Sequence, residues 1–217
     1  MLKLKKKGLL IVVSGPSGAG KDSVCEKVAE QNSNIWISVS CTSRPIRGGE
    51  VEGVNYFYLT KSEFEEKIKN GHFLEYAMYN NNYYGTPIEK IEEKLNQGID
   101  VILVIDVQGA INVKKIYEDA VFIFILPPSM EELKSRLINR GTETEEKILE
   151  RFKASYKEIN EISRYNYVIV NDKLDAAVNK MKSIIESERC RVDRIEEVEL
   201  NTKEEVLHEA LIDLNNY

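Results

Sequence analysis

The sequence predicts an α/β fold: a parallel sheet flanked by helices, with a phosphate-binding P-loop after its first strand, an inserted lobe and a polar, arginine-rich stretch before its last strand. Three observations predict it. Runs at residues 9–13, 35–39, 101–105, 121–126 and 167–170 are almost continuously apolar and rich in Val, Ile and aromatics, as strands buried on both faces are. Between them lie segments with marked helix starts and stops. A glycine-rich loop joins the first such run to a periodic segment.

Taken in order, Lys3, Lys5, Lys6 and Lys7 read as a solvated start to the first strand. The segments after the strands open on capping boxes, Thr60 with Glu63, Thr86 with Glu89, Ser129 with Glu132, and Thr202 with Glu205, where a hydroxyl and a glutamate satisfy each other's backbone N–H groups. Gly71, Gly98 and Gly141 follow periodic segments as C-caps. Alternating strand and helix gives a doubly wound core with right-handed crossovers. Residues 40–98 break the alternation with a turn-rich stretch, the aromatic run 55–59 and two short helices, and read as an inserted lobe. A polar, arginine-rich stretch, 136–151, precedes the last strand. The expected organisation is one domain over 1–217, with core 8–39, 99–128 and 166–188, lobe 40–98, lid region 129–160, and an acidic tail 189–217 of helical pattern.

Composition removes several classes of function. The 217 residues carry 30 Lys+Arg against 36 Asp+Glu, a net charge of −6, so no general field attracts a polyanion and nucleic acid is not an expected partner. The apolar runs are too short to span a bilayer, and with no leader pattern before them the expected location is the cytoplasm. Cys25, Cys41 and Cys190 form neither a disulfide framework nor a metal spacing, and His72 and His208 stand alone.

Chemistry enters at Gly15, Pro16, Ser17, Gly18, Ala19, Gly20 and Lys21. Two glycines flanking four residues, then lysine, between a strand and a helix, is the P-loop spacing. Backbone N–H groups turn inward around a phosphate, the helix N-terminus adds partial positive charge, and Lys21 adds a full one. The next position usually offers a hydroxyl to Mg²⁺, but here it is Asp22, with Ser23 following. Both are candidate metal ligands. Further on, Arg44 and Arg47 lie three apart in a turn, with Ser40 before them and Tyr56 after, a group able to hold one phosphate by charge-assisted hydrogen bonds. Asp106 ends a strand, where ligands sit in open sheets, and its carboxylate can orient the acceptor or a metal-bound water.

The chain resembles guanylate kinases over roughly residues 8–188. The resemblance rests on the P-loop, the Ser-x-x-x-Arg-Pro-x-Arg-x-Gly-Glu segment from Ser40, Phe73-Leu-Glu75, Asn82-Tyr-Tyr84-Gly-Thr86, Asp106-Val-Gln-Gly109, Pro127-Pro-Ser129 and Arg140-Gly-Thr142-Glu143-Thr144. It implies transfer of a phosphoryl group from ATP, with Mg²⁺, to GMP and dGMP, in the supply of guanine nucleotides. It assigns ATP to residues 15–23, with Asn171 near the adenine; the GMP phosphate to Arg44, Arg47, Tyr56 and Tyr84; and the base to Ser40, Glu75 and Thr86, with Asp106 nearby. It also makes 129–160 a lid bringing Arg136, Arg140 and Arg151 to the phosphates beside Lys21. The base chemistry agrees, since guanine presents two adjacent donors to one carboxylate where adenine presents a lone pair. Plainer roles stand beside these: Thr86 as an N-cap before Pro87, Tyr83 and Tyr84 as packing aromatics, Glu75 as a solvated charge, the lid as an exposed helix. Val104 stands where some family members carry a second acid. Two rival readings share the scaffold, a protein-binding module and a kinase for a phosphorylated sugar. Intact Lys21, Arg44 and Arg47 oppose the first and Glu75 with Ser40 opposes the second.

Overall fold

Ile11, Val12 and Val13 are fully shielded from solvent, and their side chains alternate between two separate cores. A strand in that setting has no solvent face, which is why its sequence is continuously apolar. The computed structural model describes residues 3–5, 7–79, 81–139, 145–195 and 197–199. In chain order it runs β1 (Lys3–Lys5), β2 (Leu10–Ser14), α1 (Lys21–Glu30), β3 (Ile35–Ile37), β4 (Cys41–Thr42), β5 (Phe57–Tyr58), α2 (Lys61–Lys69), β6 (Phe73–Tyr79), β7 (Asn82–Pro87) and α3 (Ile88–Asn96). There follow β8 (Asp100–Val104), α4 (Val107–Lys114), β9 (Val121–Leu126), α5 (Met130–Asn139), α6 (Glu145–Asn160), β10 (Tyr167–Val170), α7 (Leu174–Arg189) and β11 (Glu197–Glu199).

The central sheet has order β10-β9-β2-β8-β3, all parallel. On one face Ile11, Val13 and Ile123 pack against Val24 and Val28 of α1 and Met181 of α7. On the other, Val12, Leu103 and Phe122 pack against Ile91 of α3 and Val113 of α4. Among the described residues no helix is long and apolar enough to cross a membrane.

The insertion leaves from the edge strand β3 and returns through α3. It is a four-stranded sheet of order β5-β4-β7-β6 with α2 against it; the two short helices of the sequence reading are α2 and α3, while most of the sheet went unread behind its turn-rich stretch and aromatic run. The hairpin β6–β7 escaped that reading because each of its strands mixes polar with aromatic residues. Phe64 of α2 is the lobe's own core: it is fully buried and stacks between Phe73, at 4.3 Å between centroids, and Tyr83, at 5.1 Å.

Of the capping boxes, Thr60 with Glu63 is complete, and Ser129 accepts the Glu132 N–H at 3.1 Å. Thr86 is not a cap: it lies within β7, Pro87 holds the N-cap position of α3, and the Thr86 hydroxyl is bound elsewhere. Gly71 and Gly98 follow α2 and α3 with positive φ; Gly141 and the Thr202–Glu205 box lie outside the described residues. Two readings of the termini are corrected. Lys3–Lys5 is a strand of its own rather than the start of β2, and in the tail, read as helical, Glu197–Glu199 is the strand that pairs antiparallel with it.

Replacing Phe64 with Ala removes the ring on which the lobe stacks, and should cost about 3–5 kcal/mol. Urea unfolding of the variant should show that loss as a shift of the whole transition or as an early lobe transition. A loss below about 1 kcal/mol would mean that the stack does not hold the lobe.

Candidate active site

The P-loop follows β2 beyond the C-terminal end of the sheet, the position at which open α/β sheets take ligands. Two of its glycines are fixed by close approach: a Cβ on Gly15 (φ 145°) would lie 2.1 Å from the Ile125 carbonyl oxygen, and one on Gly20 (φ 85°) 2.4 Å from Asn171 Nδ2. Asn171, buried, donates to the Ala19 carbonyl at 2.9 Å. It braces the loop from β10's end, which is where the structure puts a residue that resemblance set near adenine. Lys21 Nζ donates to the Gly15 and Pro16 carbonyls at 2.7 and 3.1 Å. Asp22 is exposed in the first turn of α1 with Ser23 beside it.

A cleft of about 390 Å³ opens between the P-loop, the lobe sheet and α6. It gathers Ser17, Ser40, Tyr56, Glu75, Tyr84, Asp106 and Arg151, which are far apart in the chain, and adds Glu158. Asp106 is the N-cap of α4, its Oδ1 accepting the Gly109 N–H at 2.7 Å. Arg151 reaches from α6 toward Ser17 Oγ at 3.5 Å.

Glu75 and Thr86 are cross-strand partners in β6 and β7, just past a register irregularity, and the Thr86 hydroxyl donates to Glu75 Oε1 at 2.7 Å. Both are buried. Burial pushes the Glu75 carboxyl up to about 7, the Thr86 hydrogen bond pulls it down, and the nearby Asp106 charge raises it further. Glu75 is thus no solvated surface charge. It is a buried carboxyl poised between protonation states.

Arg44 and Arg47 lie beside the cleft rather than in its wall. Arg44, only 8% exposed, makes a bidentate pair with Glu50 at 2.7 and 2.6 Å and stacks 5.0 Å from the Tyr56 ring centroid. Glu50 also accepts the Arg47 N–H at 2.9 Å and the Tyr58 hydroxyl at 2.7 Å; the Arg44 hydrogen bond holds its carboxyl down to about 2. The Arg47 side chain is exposed. Arg136 pairs with Glu132 at 2.8 Å and donates to the Asn171 carbonyl at 3.2 Å. Arg140 lies outside the described residues.

A family model described as guanylate kinase matches residues 7–188. The chain belongs to the guanylate kinase family. It is 58% identical to a guanylate kinase of Clostridium tetani over 208 residues, 96% of this chain and 100% of that one. It is 54% identical to one of Clostridium acetobutylicum over 210 residues, 97% and 100% of the two chains. A solved guanylate kinase from Anaplasma phagocytophilum superposes with a TM-score of 0.75 at 34% identity, covering 89% of this chain and 92% of that one.

Against this guanylate kinase frame, the sequence reading did not single out Glu50, Tyr58 or Glu158. Glu50 stood in a quoted motif, three residues after Arg47, and an acid beside two turn arginines was the available signal. Glu158 sits on a helix among several acids, and its place in the cleft comes only from the packing of α6. Its carboxyl is pushed up by burial, with Lys21 pulling the other way.

The raised Glu75 carboxyl has a defined effect on stability. The folded protein holds the Glu75 proton where the unfolded chain, with its carboxyl at the ordinary value of 4.5, has released it. Stability therefore falls as pH rises from about 4.5 through 7. The loss is on the order of 3 kcal/mol at most, since each pKa unit is about 1.4 kcal/mol. Denaturant unfolding of wild type and Glu75→Gln at pH 5 and pH 8 should show this pH-dependent loss in the wild type and its absence in the variant. Parallel pH dependence in the two would remove Glu75 as its source.

Proposed function

We propose that the protein moves the γ-phosphoryl group of ATP to the phosphate of GMP, and of dGMP, leaving ADP and the nucleoside diphosphate. The observation that carries this reading is the buried Glu75–Thr86 pair at the base of a cleft whose other end is the P-loop. An ionised Glu75 accepts the N1–H and 2-amino donors of guanine together, with Ser40 and Thr86 beside it, whereas adenine would set a lone pair against the same carboxylate.

The acceptor phosphate then lies toward Tyr56, Tyr84, Arg44 and Arg47. Glu50 acts as a positioning residue, since its bidentate grip fixes the plane of the Arg44 guanidinium before substrate arrives. Residues 15–21 cradle the donor phosphates, Lys21 exchanging its loop carbonyls for phosphate oxygens. Arg151, already near Ser17, with Arg136 and Arg140, brings positive charge from the lid. Such transfer passes through a loose transition state with charge on the outer oxygens, so the protein supplies position and cations and needs no covalent intermediate. Closing the lid also keeps water from the γ-phosphate.

The oxygen donors present suit a hard cation. The second carboxylate oxygen of Asp106 is not used in capping α4, and Asp22 and Ser23 stand exposed beside the loop. Mg²⁺ carried with ATP would be held by Asp22 or Ser23, and by Asp106 through water, and would neutralise charge on the phosphate oxygens. The setting for this chemistry is the cytoplasm, with nucleotides as the small-molecule partners.

An assay of ADP release with GMP, AMP, CMP and UMP as acceptors should show GMP preferred by kcat/KM. That preference should rise with pH through about 7 as Glu75 ionises in the free protein. Glu75→Gln should lower kcat/KM for GMP by about tenfold or more and flatten that rise. A GMP to AMP ratio unchanged by the substitution would remove Glu75 from base recognition, and no turnover of any monophosphate would refute the reading.

Asp22 yields a separate prediction. Its charge gains about 0.3–1 kcal/mol from the α1 N-terminus, but about 5 Å from a phosphate charge at an effective dielectric of 20 it costs roughly 3 kcal/mol. A cation between the two reverses that sign. Asp22→Ser should therefore strengthen metal-free ATP binding and weaken the enhancement given by Mg²⁺. Calorimetric titrations of ATP into both proteins with and without Mg²⁺ measure this, and equal enhancement in the two would refute it.

A further inference from the structure

The candidate cleft uses only one face of the lobe sheet. Period-2 alternation sends Ser40 and Tyr56 into the cleft and their neighbours Cys41 and Phe57 to the opposite side. There a second cavity, of about 280 Å³, lies between lobe and core. Both chain crossings between the two build its wall: Ser38 and Val39 on the way out, and Pro87 and Lys90 on the way back. Trp36 contributes from the core strand β3, and Phe57 and Phe73 from the lobe. The Cys41 thiol is pushed up to about 11, chiefly by burial, so it faces the cavity uncharged.

The polar groups around this aromatic chamber are unevenly satisfied. The Ser38 hydroxyl oxygen is shielded from solvent and has no hydrogen-bond partner. Glu52 accepts the Tyr58 N–H at 3.0 Å, and Glu89 sits in the first turn of α3, where the helix N-terminus favours a negative charge. Lys67 and Lys90 also line the cavity; neither makes a close ion pair among the described residues, Lys67 acting on Glu63 only at longer range. Lys90 Nζ stands 5.4 Å from the Phe57 ring centroid, over the surface on which a ligand ring would lie. Rings for walls, a shielded hydroxyl and two lysines whose neighbouring glutamates Glu52 and Glu89 are engaged elsewhere suit a flat ligand with one negative end.

We propose that this cavity is a second ligand site, taking a planar aromatic anion of one or two rings, and that its occupancy alters the lobe's hold on the acceptor. The binding half of this proposal is independent of the acceptor reading; the kinetic half rests on it. A ligand touching Trp36 and Lys90 on the core and Phe57 and Phe73 on the lobe binds differently to any two placements of lobe against core. Whatever factor it imposes on acceptor affinity, the acceptor imposes on it.

Trp36 is the chain's single tryptophan, so its fluorescence reads this cavity directly. Titration of the full chain with 2-naphthoate should quench it saturably. The neutral 2-naphthamide should bind about tenfold more weakly, and the cationic 2-naphthylmethylammonium more weakly still. Replacing both lysines, Lys67→Gln with Lys90→Gln, should weaken naphthoate by about tenfold and leave the amide unchanged. Saturating naphthoate should shift Kd for GMP by the factor that GMP shifts naphthoate affinity and move KM for GMP with it, KM for ATP staying unmoved. No saturable quenching, or equal affinity for the three charge forms, overturns the site. So does displacement that grows without limit as GMP rises, which places the probe in the cleft. Lysine-dependent binding that leaves KM for GMP unchanged overturns the coupling. Should no monophosphate be turned over at all, the Trp36 titration still decides the binding half.

Discussion

Burial of both faces of the parallel sheet along its central strands β2, β8 and β9 is the constraint from which the rest of the molecule follows. Parallel strands need crossovers, and the crossover helices cover the two faces with separate cores. All the strands then end at one edge, so the loops after β2 and β8 meet there and bring the P-loop beside Asp106. An insertion can enter such a sheet cheaply only where no neighbour is lost. The lobe leaves after β3, an edge strand, and so overhangs the end of the sheet where the P-loop lies. The cleft is a product of this arrangement: one wall is the sheet's end, one is the lobe, and α6 closes the third side.

The same constraint decides what the sequence disclosed. β9 and β10 match the apolar runs at 121–126 and 167–170 end for end; β9 has no solvent face and so no polar positions to blur its limits, while the edge strand β10 keeps apolar residues even where Val168 and Val170 are exposed. The run at 35–39 was longer than β3, since at Ser38 the chain turns away toward the lobe. Strands with one wet face were illegible as strands: β7 reads Asn-Tyr-Tyr-Gly-Thr-Pro, which carries neither clean alternation nor an apolar run. Thr86 shows a local signal losing to a tertiary one. Its spacing to Glu89 and the following proline make a sound N-cap pattern, but Glu75 on the paired strand offers a charged acceptor, and the hydroxyl goes there. The P-loop was fully legible because its geometry is local. The partners of Arg44 and Lys21 were not, because a motif names the cation and leaves open what holds it in the absence of a ligand.

What holds those cations bears on how a site for two polyanions is kept ready. Arg44 is held by Glu50, Lys21 by carbonyls of its own loop, and Arg136 by Glu132 and the Asn171 carbonyl. These grips differ in kind. The Glu50 pair is bidentate and charged, on a side chain that is mostly buried, so it fixes a plane that a phosphate can meet without removing the carboxylate. Lys21 donates to neutral carbonyl dipoles of its loop, and in the reading proposed above an anionic phosphate replaces them with a gain in charge interaction. Arg136 pairs with a partly exposed Glu132, a contact worth little in water. In that reading the arginine nearest the acceptor, Arg44, is placed more firmly than Arg136 of the lid.

Glu75 carries the opposite balance. A buried carboxyl near a second acid is disfavoured as an anion, and one hydrogen bond from Thr86 offsets only part of that. A fixed cation beside it would have stabilised the anion and erased the penalty, yet it would also have stabilised the carboxylate equally whether or not a base was bound. Leaving the charge under-compensated makes it depend on donors supplied from outside. In the proposed reading those donors are guanine's adjacent N–H groups, which satisfy both the hydrogen-bonding capacity and the charge, and which adenine lacks. A buried acid left short of partners discriminates more sharply than a satisfied one, because the wrong base leaves its cost in place while the right base removes it. The stability lost at Glu75 between about pH 4.5 and 7 and, in the proposed reading, the selectivity of the cleft are then two consequences of the same buried, under-compensated charge.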